Sequence, residues 1–229
     1  ADYSAEPRDK ETIWQHRAGG VFVWHVGYIG SSMDGTYKCG TCPTQELVDA
    51  FETTDGQPIL DLAKPYLDEK HMQPNYNPNN KIYDPKNPYE NRDPRLTATV
   101  LCNGDSLIWN NGEVFTVETY VNGRHGISLD PSDRAHSRTG YYHRKLVTPQ
   151  ASNTNQINNS NWKFFRLGEI ILNYAEAAAE SGHLAEAKAA VDEIRARVNM
   201  PALPAGLSKD EMILRVHNER RVELAWEEV

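Results

Sequence analysis

Residues 165–198 read FRLGEIILNYAEAAAESGHLAEAKAAVDEIRARV, and the spacing of their apolar side chains decides the fold. Phe164, Leu167, Ile171, Tyr174 and Ala178 recur at steps of three and four, the period of one helical face. Glu169, Asn173, Glu176 and Glu180 form a second stripe on the same helix. Gly182 is placed to stop that helix. A second helix follows at once, with Leu184, Ala187, Val191, Ile194 and Val198 on one face, and Pro201 and Pro204 end it. So short a break makes an antiparallel hairpin spanning a tetratricopeptide unit, about 34 residues. Ala175, Ala178, Ala187 and Ala190 form a seam that lets the two helices pack closely. One such unit cannot bury both of its faces and requires neighbouring helices.

Downstream, Ser208 and Glu211 have the spacing of a capping box and start a third helix. Its predicted stripe is Ile213, Val216, Arg220 and Leu224. Arg220 stands where an apolar side chain is expected, and a half-buried guanidinium requires a carboxylate. Glu176 or Glu169 on the first helix supplies one, so Glu176 and Arg220 are read as a structural ion pair rather than an anion site.

Upstream of Asn161 the composition changes, and Gly, Pro, Asn and Asp become frequent. Residues 44–52 predict a short helix capped by Thr44 and stopped by Asp55 and Gly56. Residues 71–95 hold five prolines and many asparagines and predict irregular loop. Arg95 to Cys102 and Val114 to Val121 alternate apolar and polar residues and predict strands, with Tyr141 to Val147 as a candidate third. The expected fold is therefore mainly α, with tetratricopeptide-like hairpins and a loop-rich insertion carrying a few short strands. Its two regions are a loop-rich mixed α/β ligand-binding region over 1–164 and a helical region over 165–229.

The 229 residues, 39% of them hydrophobic, suffice for a real core. A net charge of −8, spread evenly and without a basic patch, argues against nucleic acid as a partner. No apolar run reaches the roughly 18 residues that a membrane helix needs. Three cysteines are too few for a disulfide scaffold. Cys39 and Cys42 form a C-x-x-C that lacks the second pair of a zinc site and the strand that precedes a redox motif; it reads as a loop disulfide or two free thiols. No EF-hand, phosphate loop or hydrolase motif appears, so no cofactor, metal site or catalytic residue is expected.

Several segments together resemble the SusD/RagB family. Pro43 to Glu52 (PTQELVDAFE) resembles a helix of that family, and Asn91 to Leu96 (NRDPRL) resembles its turn before a strand. Phe165 to Ala177, Val191 to Arg197 and Asn218 to Ala225 (NERRVELA) resemble three of its helices. Each segment alone is a weak signal, but their order over residues 43–228 is specific. The family's larger helical N-terminal half is not visible here, so the chain reads as an internal or C-terminal fragment.

The resemblance implies a lipid-anchored protein on the extracellular face of the outer membrane. It implies capture of an oligosaccharide or polysaccharide for a partner TonB-dependent transporter, without covalent chemistry. Sugar faces stack on aromatic rings and their hydroxyls bond planar polar groups. Trp14, Trp24, Tyr28 and Tyr37, with Asp34, are the candidate glycan-binding residues in a Gly-rich segment, which the family's binding face also occupies. Trp14 and Trp24 read equally as core residues. Two other readings stand beside this one. A helical-repeat scaffold for peptides or proteins rests on residues 165–198 alone, and a carbohydrate-active enzyme requires a carboxylate pair across a cleft.

Overall fold

The computed structural model describes residues 10–16, 21–22, 39, 41–108, 114–145, 157–158 and 162–227. Its helices are α1 (Gln45–Ala50), α2 (Pro94–Thr99), α3 (Leu167–Glu180), α4 (Leu184–Arg197) and α5 (Lys209–Glu223). Short strands pair two by two in antiparallel or ribbon fashion, so the fold is mainly helical with a few strands, as expected. The chain forms two compact units, one from residues 1–45 and 97–165, the other from 46–96 and 166–229. The composition change near Asn161 marks one of the crossings, at 165/166; those at 45/46 and 96/97 carry no such mark.

In the second unit α3 and α4 form the hairpin. Gly182 takes a φ of +80°, which costs glycine little. The His183 N–H bonds the Ala178 carbonyl at 2.8 Å and the Gly182 N–H bonds Ala179 at 3.1 Å, which satisfies the last carbonyls of α3. Ala175, Ala178, Ala187 and Ala190 are all buried, as the seam predicts, in a core completed by Ala179, Val191, Leu203, Met212 and Val216. The predicted stripe is corrected in part: Ile171 and Ala178 pack on this core, but Leu167 and Tyr174 do not. Leu172, Ala175 and Ala179 face the core, whereas Leu167, Ile170 and Tyr174 are exposed. Both sets obey the helical period; small side chains allow closer approach, so theirs is the face that packs.

Helix α5 starts with the predicted capping box. The Glu211 N–H donates to Ser208 Oγ, and the Ser208 N–H donates to Glu211 Oε2 at 2.8 Å. Its buried line runs through Met212, Val216, Glu219 and Glu223. Arg220 lies only half-buried beside that line, 3.2 Å from Glu176, and donates to Asn173 Oδ1 at 2.6 Å.

The predicted strand from Arg95 to Cys102 is also corrected, because residues 94–99 are helical. Asp93 Oδ1 accepts the Arg95 N–H at 2.9 Å, and Pro94 occupies the first helical position. An Asp cap followed by Pro outweighs a short alternation. The strand that follows, β3 (Val100–Leu101), pairs antiparallel with β6 (Tyr142–His143). In the first unit β4 (Ser106–Ile108) pairs with β5 (Val114–Thr116), shorter than the predicted Val114–Val121. Leu101, Val117 and Tyr142 are its buried cluster, with Cys39, Leu107 and Phe115 packed on it. The Asn-rich loop is fixed by its own amides: Asn75 and Asn77 donate to the Lys64 and Pro58 carbonyls, and Asn80 donates to Thr53 Oγ1. No helix among the described residues is long and apolar enough to cross a membrane.

Candidate functional site

In the first unit β1 (Thr12–His16) pairs with β8 (Trp162–Arg166). Trp14 on β1 is 64% exposed and stacks on Phe164 of β8, 39% exposed, with ring centroids 4.8 Å apart and planes at 30°. A core tryptophan would be covered, and this one is not. The ribbon holds an indole face open to solvent while the phenyl ring restrains it, which reduces the entropy a ligand must remove on stacking. Of the sequence-predicted glycan residues, Trp14 is thus on the surface; Trp24, Tyr28, Asp34 and Tyr37 lie outside the described residues. In sequence Phe164 only continues the apolar series of the first helix, and its role as a ring partner has no local signal.

The second unit has a polar recess that sequence reasoning missed. It is a cavity of about 440 Å³ whose lining includes Glu46, Asp49, Tyr66, His71, His217 and Arg221. Tyr66 and His71 stack with centroids 4.4 Å apart. Tyr66 Oη donates to Asp49 Oδ2 at 2.6 Å; burial, then that carboxylate, push the phenol's pKa up. His71 Nδ1 lies 3.1 Å from Glu46. The Asp49 and Glu46 carboxylates are thus each engaged by an aromatic neighbour. On the adjoining loop Tyr76 and Tyr83 meet at 5.8 Å, and the Arg92 guanidinium lies 5.5 Å from the Tyr83 ring centroid. The regular tyrosines of the Pro- and Asn-rich loop were the available signal.

The same unit contains a buried charge network. Arg95 reaches Asp93, Glu219 at 2.6 Å and Glu223 at 3.1 Å. Arg195 joins Glu52 at 2.8 Å to Glu219 at 3.0 Å, and Arg215 adds a second guanidinium to Glu52 at 2.8 Å. Arg166 binds Glu227 at 2.5 Å and Glu223 at 2.9 Å, and Arg197 also pairs with Glu223. Among the described ion pairs, the guanidinium groups of Arg95, Arg166, Arg195, Arg197 and Arg215 face the carboxylates of Glu52, Asp93, Glu219, Glu223 and Glu227. Burial alone would raise the Glu223 pKa, but Arg166, Arg197 and Arg95 outweigh it and hold the carboxyl at about 2. Beside the network Arg92 donates to the carbonyls of Val48 at 2.6 Å, Phe51 at 2.8 Å and Pro88 at 2.5 Å. The Asp93 N–H bonds the Glu52 carbonyl at 2.8 Å. The sequence segments that resemble one family, far apart along the chain, thus supply the pieces of one assembly.

Cys39 and Cys42 are free thiols with Sγ atoms 3.4 Å apart. Among the described residues, no three His, Cys, Asp or Glu side chains cluster in a way that would hold a metal ion.

Comparison with known proteins agrees with these motifs. Residues 10–229 match the model of the SusD family. A SusD-like protein from Bacteroides fragilis superposes with a TM-score of 0.69 at 29% identity, covering 96% of this chain and 41% of its own. A SusD-like carbohydrate-binding protein from the same organism superposes at 0.65 and 26% identity, covering 96% and 40%. The chain therefore spans about two-fifths of the length of these structures. No curated protein matches the sequence.

Proposed function

The chain belongs to the SusD family, and from that premise we propose that it is part of a cell-surface protein that binds oligosaccharide or polysaccharide and passes it to a TonB-dependent outer-membrane transporter. The protein binds its glycan without turning it over and is held at the extracellular face of the outer membrane by a lipid anchor. The observation that carries the reading is the exposed Trp14 ring stacked on Phe164. A solvent-facing indole restrained by a second ring is what the C–H face of a sugar requires, and it is costly to expose without a ligand. Support also comes from the B. fragilis relative described as carbohydrate-binding, which is similar over nearly the whole of this chain. Trp24, Tyr28, Tyr37 and Asp34 are proposed to extend the same platform.

The test is affinity electrophoresis and calorimetry of the full-length protein on a panel of plant, host and microbial glycans, beside Trp14→Ala. Covering one face of the indole with a sugar ring removes enough apolar area to be worth about 2 kcal/mol. The variant is therefore expected to bind roughly 30-fold more weakly. Its unfolding midpoint stays within error of the wild type, because Trp14 is exposed. Wild-type affinity in Trp14→Ala would remove the platform from the site. Release of new reducing ends would favour the enzyme reading, and failure to bind any glycan would favour a peptide or another nutrient.

A further inference from the structure

We propose that Cys39 and Cys42 are a disulfide-forming pair in which Cys42 is the attacking thiol and Cys39 the resolving one. The pairing stands apart from the glycan reading, but its supply of oxidant rests on the location proposed with that reading. The two sulfurs already lie 3.4 Å apart, a short movement from the roughly 2.05 Å of a disulfide bond. Their environments differ. Cys39 packs on the Leu101, Val117 and Tyr142 cluster, and its backbone N–H is tied to the Arg134 carbonyl at 2.6 Å. Cys42 lies beside Ser137 and Arg138. The Cys39 thiol, then Ser137 and Arg138, stabilise a Cys42 thiolate and pull its pKa down to about 6 against the effect of burial. The hydrogen bond shared with Cys42, then burial, push the Cys39 pKa up. A thiolate is the attacking species in disulfide exchange, so the attack is assigned to the sulfur that does not pack on the apolar cluster. The third cysteine, Cys102, is buried; its N–H is held by Asp105 Oδ2 at 2.8 Å.

The co-reactant is a disulfide, either a protein thiol–disulfide oxidant or a small organic disulfide. The Cys42 thiolate attacks one sulfur of that disulfide; a mixed disulfide forms and the other half leaves as a thiolate that takes up a proton. Cys39 loses its proton and attacks the Cys42 sulfur, breaking the mixed bond and releasing the second half as a thiol. Two protein thiols are oxidised, and one disulfide is reduced to two thiols. The product is a small ring just ahead of α1 that fixes the chain against the buried cluster. Outside the cytoplasm, where the proposed location puts the protein, such oxidants are present.

The experiment equilibrates the whole chain with graded ratios of oxidised to reduced glutathione, quenches by alkylation and maps the peptides by mass. In the wild type, the peptide containing Cys39 and Cys42 is expected to lose two hydrogen atoms, at ratios where the denatured chain stays reduced, while Cys102 is alkylated only after unfolding. Cys39→Ser accumulates a glutathione adduct on Cys42, and Cys42→Ser leaves Cys39 unmodified. A wild-type pair that stays reduced in excess oxidised glutathione overturns the proposal, and this arm needs no variant to fold. Equal modification of Cys39 and Cys42 in the two variants overturns the assigned order.

Discussion

Replacing Glu219 with glutamine lowers the stability of the chain by about 3–5 kcal/mol, read as a fall of roughly 2 M in the urea midpoint. The carboxylate bridges Arg95 and Arg195, which are buried with it. Glutamine keeps the volume and removes one negative charge, which leaves an uncompensated positive charge out of water. The Glu176 pair with Arg220 provides the contrast. Glu176 is partly exposed, at 39% of its side chain, and Glu176→Gln costs at most about 1 kcal/mol. Equal effects of the two substitutions would show that burial does not set the energetics here. The network also sets the acid limb of stability. Glu223 is held at about 2, below its ordinary value of 4.5. A carboxyl depressed in the folded state contributes stability that is present above about pH 4.5 and is lost as the pH falls toward 2. Glu223→Gln lacks that contribution, so its stability changes less over this window in an equilibrium unfolding series. An unchanged slope would place the acid sensitivity elsewhere.

Arg92→Met is expected to cost about 3 kcal/mol or more by a different route. No carboxylate is at stake in the bonds concerned: the guanidinium donates to the carbonyls of Val48, Phe51 and Pro88. The first two belong to the C-terminal end of α1 and the residue after it, where carbonyls lack helical partners. Methionine fills the space but donates nothing, so these buried oxygens lose both protein and water. Hydrogen exchange reads the consequence locally. The Asp93 and Thr54 amides, bonded to the Glu52 and Asn91 carbonyls, are expected to lose protection before the α3–α4 hairpin does. Arg92→Lys keeps the charge but cannot reach three carbonyls with the same fork, and recovers less than half of the loss. Wild-type stability and protection in Arg92→Met would rule out this role.

What the sequence disclosed follows from how local each signal is. The hairpin was legible because its period, its alanine seam and Gly182 all lie within one continuous stretch. The capping box of α5 was legible for the same reason. Alternation from Arg95 to Cys102 misled, because an Asp-Pro start one residue earlier carried more weight. The charge network was hidden by distance along the chain. Glu219 and Glu223 sit in register with Met212 and Val216, which marks them as buried, but their counterions at Arg95 and Arg195 have no local pattern. Arg220 drew attention because it interrupts an apolar series, yet it pairs beside the packed line. At the candidate site Trp14 was legible as an aromatic residue, whereas its exposure depends on pairing with a strand some 150 residues later.

The crossings at 45/46, 96/97 and 165/166 bear on how such a protein changes over generations. Arg95 and Arg166 belong to the network, and nearly all of the chain between them belongs to the other unit. That excursion, like the one that ends at residue 45, can be lengthened, shortened or exchanged by recombination without touching Arg95, Arg166 or any other named member of the network. An exchange at residue 165 alone, the boundary that composition suggests, would instead separate Glu219 from Arg95 and Arg195 from Glu52. Inheritance should therefore proceed at two speeds: a slowly varying ionic frame, and segments that diversify between its fixed ends.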